Sequence, residues 1–187
     1  MRKRYVRSVA RTFPILFVAA ALAGGAVACG VGVGVPDDVA PLASVTVADR
    51  SVSYPIAGTA GELRDAMNAR GPRDAEGERH DGLTTWRVSW TCAGGRLATI
   101  RLDVETTLPR ATDPPAAFVS YVAALSRHER GHRAIGVAAA NRVASLPAFP
   151  SCEDAGAAAV RAVTAEHERD ATYDLLTFHG ASQGASF

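Results

Sequence analysis

The sequence predicts an α+β fold: an N-terminal β-α-β-β unit, read as a small antiparallel sheet with one short helix, followed by two long helices. Val-rich, partly alternating segments occupy much of residues 43–108, with the side-chain period of two that marks strands. Ala93-Gly94-Gly95 joins the last two of these segments at hairpin distance. From Asp113 onward the period lengthens to that of a helix and holds through two Ala-rich stretches.

Residues 1–28 are expected to lie outside that fold. Arg2, Lys3, Arg4, Arg7 and Arg11 precede an apolar run from Pro14 to Val27, which closes on Ala26-Val27-Ala28. A basic head, an apolar middle and an A-x-A end are the parts of a secretory signal, and the run is shorter than the about 20 apolar residues of a membrane span. The expected location is therefore exported, in the periplasm or cell envelope. Cys29 falls at the position where bacterial lipoprotein precursors carry their lipid, so lipidation of Cys29 and membrane anchoring through it are expected, with ordinary cleavage the alternative. The Gly/Pro-rich residues 29–43 suit a flexible tether, leaving 44–187 as a single domain. Removing five of the 20 basic residues with the signal leaves 15 against 19 acids, a formal charge of −4, and removes the only lysine, Lys3. That balance excludes the basic stripe of a nucleic-acid binder.

Within the domain, 43–56 reads as one or two strands. Residues 58–72 read as a helix, with Thr59 and Glu62 as a capping box at its start and Gly71-Pro72 as its stop. Residues 83–92 and 97–108 form the predicted hairpin, the second alternating cleanly with Ala98, Ile100, Leu102 and Val104 on one side. The first long helix opens on an expected Asp113 N-cap with prolines in its first turn, and runs to Pro147. The second, 151–180, starts on a Ser151/Asp154 box and stops at Gly180. In an oxidising compartment Cys92 and Cys152 are expected to pair, stapling the hairpin to the start of the last helix.

The first long helix carries His128-Glu129-Arg130-Gly131-His132. Histidines four apart on a helix share one face, close enough to hold one metal ion, with the intervening Glu beside them. One stripe at helical spacing collects Phe118, Tyr121, Leu125, His128, Glu129, His132, Ile135, Ala139 and Val143, while Arg127, Arg130 and Arg133 fall outside it. Burying two imidazoles and a carboxylate on an apolar face is costly unless something pairs with them, and a divalent metal does so. Core histidines bonded to backbone or to acids of the other helix are the alternative. Gly131, mid-helix, points to a close approach by a strand or a substrate. For a third ligand the sequence offers His179, in the last turn of the second long helix, with Asp174 as its rival; His80 reads as a surface residue and His167 as a weaker candidate.

His-Glu-Arg-Gly-His followed 47 residues later by His179 in Tyr-Asp-Leu-Leu-Thr-Phe-His-Gly, together with 53–72, Thr84–Trp90 and Thr107–Arg110, resembles a bacterial domain-of-unknown-function family described as predicted secreted zinc-dependent proteases. The likeness spans roughly residues 50–187. The family pattern has an aromatic after Leu-Pro-Arg and a Trp in the first long helix, where this chain has Ala111 and Tyr121. The resemblance implies a zincin-like helix with one Zn²⁺ on His128, His132 and His179, and Glu129 as catalytic acid/base.

The expectation for function is thus a monomeric zinc metallopeptidase acting on a peptide or protein substrate, with Glu129 activating a zinc-bound water. Tyr173 is a candidate for oxyanion stabilisation, and Asp170 or Asp174 for orienting a ligand imidazole. The competing expectations are a non-enzymatic envelope lipoprotein with a structural metal or none, and a zinc amidase acting on cell-wall peptides.

Overall fold

The structure, a computed structural model, describes residues 43–187; the expected signal, Cys29 and nearly all of the tether lie outside the described residues. Strand β1 (Ser44–Ile56) leads into helix α1 (Ala60–Arg70), then strands β2 (Leu83–Ala93) and β3 (Arg96–Ala111), helix α2 (Ala116–Ala144) and helix α3 (Cys152–Thr177). A one-turn 3-10 helix, Ala181–Gln183, follows. The α+β class and the element order are those expected.

The sheet is mixed rather than antiparallel, with order β1-β3-β2. A tight hairpin leaves β2 and β3 no choice but to run antiparallel. The segment through α1 returns the chain to the end of the sheet where β1 stopped, so β2 runs opposite to β1. With β3 central, β1 then pairs parallel to it, from Ser44↔Thr99 to Ile56↔Ala111. The alternation expected along β3 also breaks at its start. The register slips between Trp90 and Cys92, where Ala98 and Thr99 oppose Thr91 alone, and this bulge turns Leu97 to the same buried face as Ile100, Leu102 and Val104.

Helix ends differ from expectation in detail. Thr59 and Glu62 form their capping box, the Glu62 carboxylate accepting from the Thr59 N–H at 2.6 Å. At α2, Pro115 is the N-cap, because it holds Pro114 out of the helical region, and Asp113 sits before them with φ +49°. The helix stops at Ala144, three residues short of Pro147, with the Ser145 hydroxyl donating to the Asn141 carbonyl at 2.7 Å. Ser151 caps α3, accepting from the Asp154 N–H at 3.1 Å. That helix ends at Thr177, before Gly180, on a left-handed Phe178. The Cys92–Cys152 disulfide is present, with 5.7 Å between Cα atoms.

Two apolar clusters form along α2. Ile135, Ala139, Ala140 and Val143 pack with Ala155 and Ala159 of α3 on the sheet face carrying Trp86, Val88, Leu97, Ile100, Leu102 and Val104. Phe118, Tyr121 and Leu125 pack with Ile56 of β1 and with Leu63 and Met67 of α1. His128, Glu129 and His132 occupy the interval between the clusters, buried on the same stripe of the helix.

Candidate metal centre

His128 and His132 lie one turn apart on α2. Helix α3 brings Asp170, Asp174 and Thr177 against them, the higher numbers meeting the lower ones on α2. The Nε2 atoms of the two histidines are 3.2 Å apart, and Asp174 Oδ1 is 3.1 Å from each. These three residues form a possible ion-holding group among the described residues, their donor atoms all within 4.8 Å of one another. Donors around a tetrahedral ion bound at about 2.0–2.1 Å stand about 3.3 Å apart, which is close to the observed triangle.

Hydrogen bonds at the far side of each ring set the tautomers. His132 Nδ1 donates to Asp170 Oδ1 at 2.9 Å, and Asp170 Oδ2 accepts from the Trp86 indole N–H at 3.1 Å. His128 Nδ1 faces the Thr177 hydroxyl at 3.4 Å, and that hydroxyl donates to the Tyr173 carbonyl at 2.8 Å. In that form both Nε2 atoms would turn lone pairs toward the carboxylate oxygen, an arrangement that a cation or a proton between them would stabilise. A proton on His132 meets the same need. Burial disfavours a charged His132, yet the Asp170 and Asp174 carboxylates outweigh it and push its pKa up to about 10. Burial works to raise Asp174, and the imidazoles of His128, His132 and His179 overcome it, holding the carboxyl well below its usual range. The donor set fits a divalent ion of the zinc type.

Glu129 has a different environment. It is 3 % exposed, and its Oε2 has no hydrogen-bond partner within the protein. Burial raises its pKa against the pull of His132, the Thr84 hydroxyl and His128. Its Oε1 abuts Gly82, where a Cβ would come within 2.9 Å of that oxygen, so a larger residue there would push the carboxylate aside. Gly82 is held there by its neighbour Asp81. The Asp81 carboxylate accepts from Arg64 of α1 at 2.5 Å and from the Tyr121 hydroxyl of α2, and its carbonyl accepts from the Tyr54 hydroxyl of β1 at 2.7 Å. Tyr121, at the position of the resemblance's Trp, thus helps clamp the loop that covers Glu129.

Several expectations are redrawn by this geometry. His179 lies outside the donor group: its side chain is 64 % exposed and its Nδ1 is 3.6 Å from Asp174 Oδ1. The chain leaves α3 in a left-handed turn, with φ +50° at Phe178 and +52° at His179, and the ring stands beside Asp174. Tyr173 does not offer its hydroxyl to the centre. That group donates to the His128 carbonyl at 3.2 Å and accepts from Gln183 Nε2 at 3.0 Å, while the ring stacks on His128 at 5.1 Å between centroids. It also accounts for Gly131, since a Cβ there would collide with the Tyr173 hydroxyl; the close approach is that of a helix partner, not of a strand or substrate. Asp170 orients His132, as expected of one of the two acids. His167 stacks on Trp86 at 4.0 Å, and His80 pairs with Asp74 at 2.8 Å. Trp86, Thr177, Gly82 and Thr84 were not singled out from sequence, although Trp86, Thr84 and Thr177 all lie within the segments that carry the family resemblance.

No curated protein and no solved structure matches the chain. A family model does, over residues 52–180, a stretch that includes the histidine pair, Glu129, Asp170, Asp174 and the turn through His179. The chain belongs to this family, the bacterial proteins of unknown function DUF922.

Proposed function

We propose that the protein is an exported zinc-dependent peptidase in which His128, His132 and Asp174 hold the ion and Glu129 is the acid/base. The observation that carries this reading is the triangle of His128 Nε2, His132 Nε2 and Asp174 Oδ1 at 3.1–3.2 Å, its two histidines on the same buried helix face as a carboxylate oxygen without a partner. A structural metal site has no use for that orphaned oxygen, whereas a proton-transferring group needs one free.

Zinc held by His128, His132 and Asp174 would supply a Lewis acid and bring the pKa of water towards about 7. Glu129, its pKa raised by burial, takes a proton at Oε2 and returns it to the leaving amine. Asp170 and Thr177 hold the two imidazoles in the Nδ1–H form, and the Trp86 N–H fixes Asp170 in turn. Peptide bonds as the target, and export through residues 1–28, rest on the sequence reading; an amide of cell-wall peptides would call on the same groups.

The test is metal content with one substitution. Purified protein should carry about one zinc; less than about half an equivalent after gentle preparation removes the basis of the reading. Glu129→Gln should keep that zinc and lower hydrolysis of an unfolded protein substrate by about 10²–10⁴. Unchanged hydrolysis in Glu129→Gln would exclude the acid/base role.

A further inference from the structure

Residues 72–82 join α1 to β2 and end on Gly82, the residue that abuts Glu129 Oε1. Their hydrogen bonds turn inward. The His80 N–H donates to the Pro72 carbonyl at 3.0 Å, the Asp74 N–H donates to the Glu78 carbonyl at 3.0 Å, and His80 Nε2 meets the Asp74 carboxylate at 2.8 Å. Arg73 and Arg79 pair across the same loop. None of residues 72–81 is buried, and none joins either apolar cluster. The loop is thus a compact unit that rests on the domain without belonging to its core.

Among the described residues, every hydrogen bond that ties this loop to β1, α1 or α2 ends on Asp81. Tyr54 of β1 donates to its carbonyl, and Arg64 of α1 and Tyr121 of α2 donate to its carboxylate. One residue therefore fastens the loop to three elements. Beneath it Glu129 is 3 % exposed, and its Oε2 has neither solvent nor a protein partner. A carboxylate so enclosed has to be uncovered before a reactant larger than water can touch it. This loop is cover that can swing away with both clusters left intact.

We propose that residues 72–82 are a lid over Glu129, latched to the domain at Asp81, and that release of the latch opens Glu129 to solvent and reactants. The use of that opening, admitting substrate to the acid/base, rests on the peptidase reading; the gating of Glu129 does not. Asp81 acts through Gly82, which makes it a positioning residue.

The experiment labels the carboxyl groups of the purified protein with a water-soluble carbodiimide and glycine ethyl ester, each site being read by peptide mass spectrometry. Glu166 of α3 is the control: it is 2 % exposed, as enclosed as Glu129, and pairs with Arg142 of α2 at 2.9 Å. Both should label slowly in the wild type. Asp81→Asn, which weakens the bonds to Arg64 and Tyr121, should speed labelling of Glu129 about tenfold or more and leave Glu166 as it was, because bonds to a charged group hold a local opening shut by at least that factor. Tyr54→Phe, which removes the third bond and keeps the ring, should do the same in smaller measure. Amide hydrogen exchange over 72–82 should rise in both variants while α2 and α3 stay protected. The proposal is overturned if neither variant raises labelling of Glu129 above that of Glu166. A selective rise at Glu129 in a protein whose wild type hydrolyses nothing sinks the peptidase reading and leaves the lid standing. Glu129-dependent hydrolysis without the selective rise does the reverse.

Discussion

Asp174 and His179 are five residues apart, and the helix end between them decides which one reaches the histidine pair. His128, Glu129 and His132 were legible because i, i+4 spacing on one helix is a local property that no neighbour can alter. The choice between His179 and Asp174 for a third donor was not, since it depends on the register of α3 against α2 and on where α3 stops. Asp174→Ala should weaken zinc binding by more than the about 10–100-fold that loss of an outer partner costs, and His179→Ala should stay within that range, as read by competition with a chelating dye. The reverse order would make His179 the ligand and Asp174 its support. Trp86 was still less visible. In sequence it is an apolar strand residue, and its indole N–H finds Asp170 across 84 positions. Trp86→Phe keeps the packing and removes that donor, so zinc affinity should fall about tenfold while thermal stability of the metal-free protein changes little.

At the scale of elements, the hairpin and the helices were readable because turn residues and capping boxes act within a few positions. The parallel β1–β3 pair was not, because nothing in β1 names its neighbour; only the path through α1 and β2 does. The bulge at Ala98-Thr99 shows the same limit, since alternation along one strand says nothing about an extra residue relative to its partner. Helix α3 matters most here, because it supplies Asp170, Asp174 and Thr177 from its far end while the Cys92–Cys152 bond ties down its first residue. Replacing both cysteines with Ser should lower stability by about 2–5 kcal/mol in denaturant unfolding, the typical worth of a native disulfide. Zinc should leave that variant at lower denaturant concentration than its helices melt, because α3 docking and metal holding share the same residues.

Across the whole molecule, the centre lies between two apolar clusters that pack without it. Chelation should therefore leave the far-ultraviolet circular dichroism spectrum intact and lower the unfolding free energy only by the lost binding energy, RT ln(1 + [Zn]/Kd). A chain that loses its helices on chelation would instead have a metal that holds the fold together, and the catalytic reading would lose its footing. The interval between the clusters also has a bearing on descent. Because the buried members of each cluster pack chiefly with one another, mutation can sample new donors and new reactions in that gap without first unfolding the scaffold. The same architecture can then be inherited by lineages whose chemistry has diverged or lapsed, so a shared fold within the family is a weaker guide to activity than the identity of the residues in that one interval.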